Sequence, residues 1–123
     1  MNILIILITV ALMFTVACGT ENSTSEGTKV FTLEVTDDNG NVTSLTIKTD
    51  ESTVGAALLD EGIIDGDVSE FGLMVLFVNG IRADFIEDGA WWAFYIDGEM
   101  AMEGVDSTEI EEGKTYAFIY TEA

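Results

Sequence analysis

From Lys29 onward, apolar and polar residues alternate with a period of two. Phe31, Leu33 and Val35 are separated by Thr32 and Glu34, and Thr43, Leu45 and Ile47 by Ser44 and Thr46. Successive side chains of a strand point to opposite faces, so each run carries one apolar face. Between them, Asp37-Asp38-Asn39-Gly40-Asn41 is a cluster of turn formers, and the two runs read as a β-hairpin. The period then changes. Across residues 53–62, Val54, Ala57 and Leu58 fall on one face of a helix. Ser52 or Thr53 can accept the unpaired amides of its first turn, and Gly62 suits a left-handed cap at its end. Two turns of helix are marginal in isolation, so packing must hold them.

Residues 65–72 are polar and read as a loop. The continuous apolar run Leu73-Met74-Val75-Leu76-Phe77-Val78 predicts a central strand buried on both faces. Asn79-Gly80 is the strongest two-residue hairpin signal, with Ile81, Ala83 and Phe85 alternating on the returning strand. A further strand over residues 91–96 turns at Asp97-Gly98. A last one over residues 115–120 puts Tyr116, Phe118 and Tyr120 on one face. Hairpin, helix, then several strands predict an α+β domain in which one helix lies across a mixed sheet. The β-grasp arrangement fits this order best; an immunoglobulin-like sandwich gives the helix no place.

The first 28 positions have a different pattern. Residues 3–17 are uncharged and apolar except for Thr9 and Thr15. A membrane span needs about 20 such residues and the core of an export signal roughly 7–15, so residues 1–17 read as a signal peptide. Thr15-Val16-Ala17-Cys18-Gly19 resembles a bacterial lipobox, in which cleavage precedes a lipid-bearing Cys. Cys18 is the only cysteine, so an intrachain disulfide is excluded. The competing reading is ordinary cleavage near Ala17 with Cys18 a stray thiol. Met1-Asn2 supplies none of the basic residues expected ahead of the apolar core, which leaves a truncated start open. With Cys18 acylated, residues 18–28 form a polar tether and residues 29–123 the domain. The chain is then expected to be exported and held by lipid on the outer face of a bacterial membrane.

Composition removes whole classes of chemistry. There is no His, so histidine-based triads, Cys-His pairs and histidine general bases are excluded. The net charge of −19, from 23 acidic against 4 basic residues, is the wrong sign for binding nucleic acid. Carboxylates could act as a hydrolytic pair, but no spacing singles one out. No segment completes an EF-hand, and the acidic residues concentrate in turns, where local hydrogen bonding and solubility favour them. No catalytic residue, resident cofactor or metal site is therefore expected, and the domain reads as a non-enzymatic monomer.

The stretch Trp91-Trp92-Ala93-Phe94-Tyr95-Ile96-Asp97-Gly98, with Glu103-Gly104-Val105, Ile110 and Gly113 leading into an aromatic strand, is similar to the C-terminal β-domain of transcobalamin and intrinsic factor. It looks especially like the bacterial surface proteins grouped with that domain under a label of unknown function. Thr53-Val54 through Leu58 resembles the family's helix and Val78-Asn79-Gly80 its central hairpin, so the resemblance covers about residues 30–120. It implies a β-grasp of the soluble-ligand-binding kind. Two turn positions depart from the pattern: Asp97, where relatives carry Asn, and Lys114, where they carry Asp. The helical barrel that shares the cobalamin in transcobalamin has no counterpart in this sequence. Cobalamin or another corrinoid is thus an admissible ligand rather than a required one.

Trp91 and Trp92 are adjacent on a strand and must face opposite ways. The bland expectation is that both are packing residues. The sharper one is that the outward Trp, with Tyr95 or with Asp97, Met100 and Met102 of the following hairpin, forms a platform for a flat ligand. The function expected is holding a small soluble ligand or presenting it for uptake. The alternative is a surface module that binds an envelope protein or wall polymer through a sheet edge or acidic face.

Overall fold

The structure, a computed structural model, describes residues 27–123. The apolar leader, Cys18 and most of the tether lie outside the described residues. Strands β1 (Lys29–Thr36) and β2 (Val42–Thr49) form the expected antiparallel hairpin with unbroken register from Lys29 opposite Thr49 to Thr36 opposite Val42. Asp37 builds the turn: its Oδ1 accepts hydrogen bonds from the amides of Asn39 (2.8 Å) and Asn41 (2.9 Å).

Helix α1 (Val54–Asp60) begins at Thr53, whose side chain accepts from the Ala56 amide, and ends before Gly62, which takes φ = 75°. Val54, Ala57 and Leu58 are fully buried. Full burial of a Val or Leu side chain is worth about 1.5–3 kcal/mol, which holds a helix too short to stand alone.

The last strand, β8 (Thr115–Glu122), pairs parallel with β1, Leu33 lying opposite Tyr116 and Val35 opposite Phe118. On its other side β8 pairs antiparallel with β6 (Ala90–Ile96), which carries the two-residue strand β7 (Glu99–Met100) at its edge. The five-stranded order is β2-β1-β8-β6-β7. Its inner face presents Phe31, Leu33, Ile47, Tyr116, Phe118 and Trp92 to Val54, Ala57 and Leu58 of the helix, all in one buried cluster. The class is α+β, with the helix on a mixed sheet.

A second, three-stranded sheet differs from expectation. Residues 64–69, read in part as loop, form β3 (Ile64–Ser69), paired antiparallel with β4 (Gly72–Val78). Pairing rather than alternation makes this strand: Asp65, Asp67 and Ser69 are exposed, and a register shift at Asp65/Gly66 accommodates a bulge. The Gly66 position is crowded enough that a Cβ there would overlap the Met74 carbonyl oxygen.

The apolar run is a strand, but it is central only to this small sheet and is not buried on both faces; Met74 is exposed. Asn79 (φ 52°) and Gly80 (φ 81°) make the hairpin turn into β5 (Ile81–Arg82). That strand stops early because Asp84 caps a short helix, α2 (Phe85–Asp88), its Oδ1 accepting from the amides of Ile86 and Glu87. Phe85, expected on a strand, is therefore the first residue of a helical turn.

Candidate functional site

Strand β6 sends Trp92, Phe94 and Ile96 inward and Trp91, Ala93 and Tyr95 outward. Trp92 packs edge-on against Tyr120 at 5.4 Å between ring centroids and donates from Nε1 to the Ile81 carbonyl at 3.1 Å. Its polar atom is thus satisfied by the second sheet, and the ring ties the two sheets together. Trp91 is 39% exposed and has Phe85 beside it at 6.1 Å. The two tryptophans share no site: they are back to back through the sheet, and only Trp91 can meet a ligand.

At its other end β6 turns through Asp97 (φ 49°) and Gly98 (φ 85°) into β7. Asp97 is held on every side. Its amide donates to the Thr115 carbonyl (2.7 Å), its Oδ1 accepts from the Thr115 amide (2.8 Å), and Lys114 Nζ lies 3.6 Å from its Oδ2. The two positions that depart from the resembled pattern, Asp97 and Lys114, face each other as an ion pair. Asp97 therefore fixes the turn, although it also borders a depression of about 400 Å³ shared with Ile96, Met100, Met102 and Lys114.

Across Met102 lies a second depression of about 530 Å³, floored by Ile96 and Tyr116 and walled by Thr108. Glu103, Glu109 and Glu111 rim it and give its mouth a negative field. The buried Tyr116 fixes this rim. Its hydroxyl accepts from the Glu111 amide at 3.1 Å and donates to the Glu109 carbonyl at 3.4 Å. The Val54 amide donates to the Thr108 carbonyl, and the Ile110 amide to the Ser52 carbonyl, so the same loop is pinned to the start of α1.

Of the six residues expected to bind ligand, the structure brings Asp97, Met100 and Met102 together. Tyr95 stands opposite Met100 across the strand pair but on the outer face, Trp91 lies at the far end of β6, and Trp92 is core. Sequence reasoning missed Ile96, Thr108 and Tyr116, which meet only through the fold. The signal for Tyr116 was its place in an aromatic strand, which reads equally as core. Among the described residues, no group of three or more Asp, Glu, Cys or His is placed to hold a metal ion. No helix among them is long and apolar enough to cross a membrane.

Among the solved structures that resemble this one, two are informative. A protein from Ruminococcus gnavus ATCC 29149, to which metal binding is ascribed, is 25% identical, with a TM-score of 0.73 over 78% of this chain and 99% of that one. Haptocorrin in complex with Cbi is 17% identical with a TM-score of 0.59, over 86% of this chain. The chain spans 27% of haptocorrin's length, and that likeness is one of fold alone. No curated protein matches the chain. Residues 51–122, more than half of the sequence, match the family described as a domain of unknown function (DUF4430), and the chain belongs to that family.

Proposed function

We propose that this chain is an exported lipoprotein, anchored through acylated Cys18 to the outer face of a bacterial membrane, whose domain binds a small soluble ligand without catalysis. The observation that carries the reading is the pair of depressions meeting at Ile96 and Met102, of about 530 and 400 Å³, beside the exposed thioethers of Met100 and Met102. Volumes of this order suit small organic ligands. Unbranched, polarizable Met side chains adapt to irregular apolar shapes. The strand order β2-β1-β8-β6-β7, with the outermost strands in sequence parallel at the centre and the helix following the second strand, supports reading the main sheet as a β-grasp of the transcobalamin C-terminal kind. A corrinoid is the first ligand to try, because the haptocorrin relative of this fold was solved with Cbi.

Neither tryptophan lines these depressions, so equilibrium dialysis and thermal shift read binding better than Trp quenching does. We expect cobalamin, cobinamide or another flat metabolite to raise the melting temperature of the full chain. Met102→Glu should weaken that ligand at least tenfold, and Trp91→Ala should leave it unchanged. No stabilisation across the panel would remove the reading. It would leave the alternative, an envelope-protein module, which is supported by the outer edge of β2 at the margin of the five-stranded sheet.

A further inference from the structure

The hydrogen bonds of the first hairpin decide which backbone groups of β2 are left over. The Asp37 amide donates to the Asn41 carbonyl, and the Thr32 amide to the Lys114 carbonyl. Odd-numbered residues of β1 therefore bond to β2 and even-numbered ones to β8. Odd residues of β2 answer them, so the amides and carbonyls of Val42, Ser44, Thr46 and Lys48 point out of the sheet. β2 is the margin of the five-stranded sheet, and among the described residues no strand lies beyond it.

The other margins are blunted. β5 and β7 have two residues each, and β3 is broken by the register shift at Asp65/Gly66 and carries the exposed Asp65 and Asp67. Short, bulged and charged edges resist pairing. β2 has eight residues in unbroken register against β1, with no acidic side chain and no proline. Its one charge, Lys48, stands near its end. In a chain of net charge −19, this is where another equally acidic body can approach at the least electrostatic cost.

The order of side chains identifies that body. Around Leu45 the strand reads nearly the same in both directions: Ser44 and Thr46 carry hydroxyls, and Thr43 and Ile47 are β-branched. A two-fold axis through Leu45 sets each residue opposite its mirror image in the sequence. Leu45 then meets Leu45 of a second copy, Ser44 meets Thr46, Thr43 meets Ile47 and Val42 meets Lys48. Hydroxyl pairs and β-branched pairs of this kind stabilise neighbouring antiparallel strands. This register joins all four outward-pointing residues of each copy, and every other antiparallel register leaves at least one over. Leu45 packs against the buried core, so the contact carries the apolar inner layer across the seam. A foreign strand would meet the backbone groups, but only a second copy matches the side-chain order by symmetry.

We propose that the chain forms a two-fold dimer by antiparallel pairing of β2 with β2 about Leu45, which joins two five-stranded sheets edge to edge. The depressions at Met102 lie toward the opposite margin, at β6 and β7, so the dimer does not depend on the ligand-binding reading.

Sedimentation equilibrium of the full chain in density-matched detergent tests this. The mass of one chain should give way to the mass of two as concentration rises. Ser44→Pro and Thr46→Pro each remove an outward N–H and no bond to β1. Each should weaken self-association at least tenfold and leave the circular dichroism of the fold unchanged. Ser44→Lys with Thr46→Lys sets like charges face to face across the seam and should abolish the dimer. Ser44→Lys with Thr46→Glu sets opposite charges there and should keep it. Screening of the like charge on the two copies should tighten the dimer between about 0.01 and 0.15 M salt. A single-chain mass at every concentration would overturn the proposal and leave the edge to a strand of another protein. So would a dimer that both proline variants leave intact, one lost equally with like and with opposite charges at the seam, or one that salt dissolves.

Discussion

A methyl group added at Gly55 would stand 2.8 Å from the Cα of Asp106 and 3.1 Å from the carbonyl carbon of Val105. Both neighbours are backbone, in the 3-10 turn Val105–Ser107, so no side chain can swing aside. Inside a helix, Gly→Ala ordinarily stabilises by about 1 kcal/mol. Here the sign should reverse. Overpacking typically costs about 1–3 kcal/mol, and Gly55→Ala is expected to lower the unfolding free energy by roughly that amount in urea titrations. A stabilised variant would show that α1 can move away from the turn. Gly55 lets the helix lie close to the segment that continues into Thr108 and the rim of the candidate site. The alternation around Trp91 and Trp92 correctly put them on opposite faces. Which of them is buried depends on the Ile81 carbonyl, which no local pattern reveals.

At the scale of elements, α2 is held at both ends by acidic side chains, Asp84 capping its start and Asp88 closing it. Asp88 accepts two hydrogen bonds from the Arg82 guanidinium, at 2.9 and 2.8 Å, and one from the Asp84 amide. The Arg82 hydrogen bonds, then the Asp84 amide, hold the Asp88 carboxyl below its ordinary value against a smaller opposing effect of desolvation. A carboxyl depressed in the folded state contributes stability above its unfolded value, near 3.9. That contribution disappears as pH falls through the lower folded value. Asp88→Asn should therefore melt below the parent protein at pH 7, with the gap closing as pH drops under about 4. A gap that stays constant to low pH would place the effect elsewhere. Elements with a private pattern were readable in the sequence: the first hairpin, the capped helix and the Asn79-Gly80 turn. Strand β3 was not, because Asp65-Gly66-Asp67 has no apolar face and becomes a strand only by pairing with Met74 and its neighbours. The candidate site was half legible, since Met100 and Met102 flank a recognisable turn but Tyr116 and Thr108 come from distant segments.

For the molecule as a whole, charge sets the conditions of stability. Arg82 is taken up by Asp88, and Lys114 by Asp97 and Glu111, few attractions against an excess of 19 negative charges. Repulsion of this kind works against compactness and is screened by salt. Raising ionic strength from about 0.01 to 0.15 M shortens the screening length from roughly 30 to 8 Å, and the melting temperature should climb across that range. A flat or falling curve would mean that the attractive pairs outweigh the net repulsion. The topology has a consequence for biosynthesis. Because β1 pairs with β8, the two strands at the middle of the main sheet are the first and last of the domain to be made. Closing so long a loop is slow, and a nascent chain still lacking residues 115–122 has nothing to join its amino-terminal hairpin to β6. The domain stays open until its last strand is made, a form loose enough to be threaded through a narrow opening, as the proposed export would require.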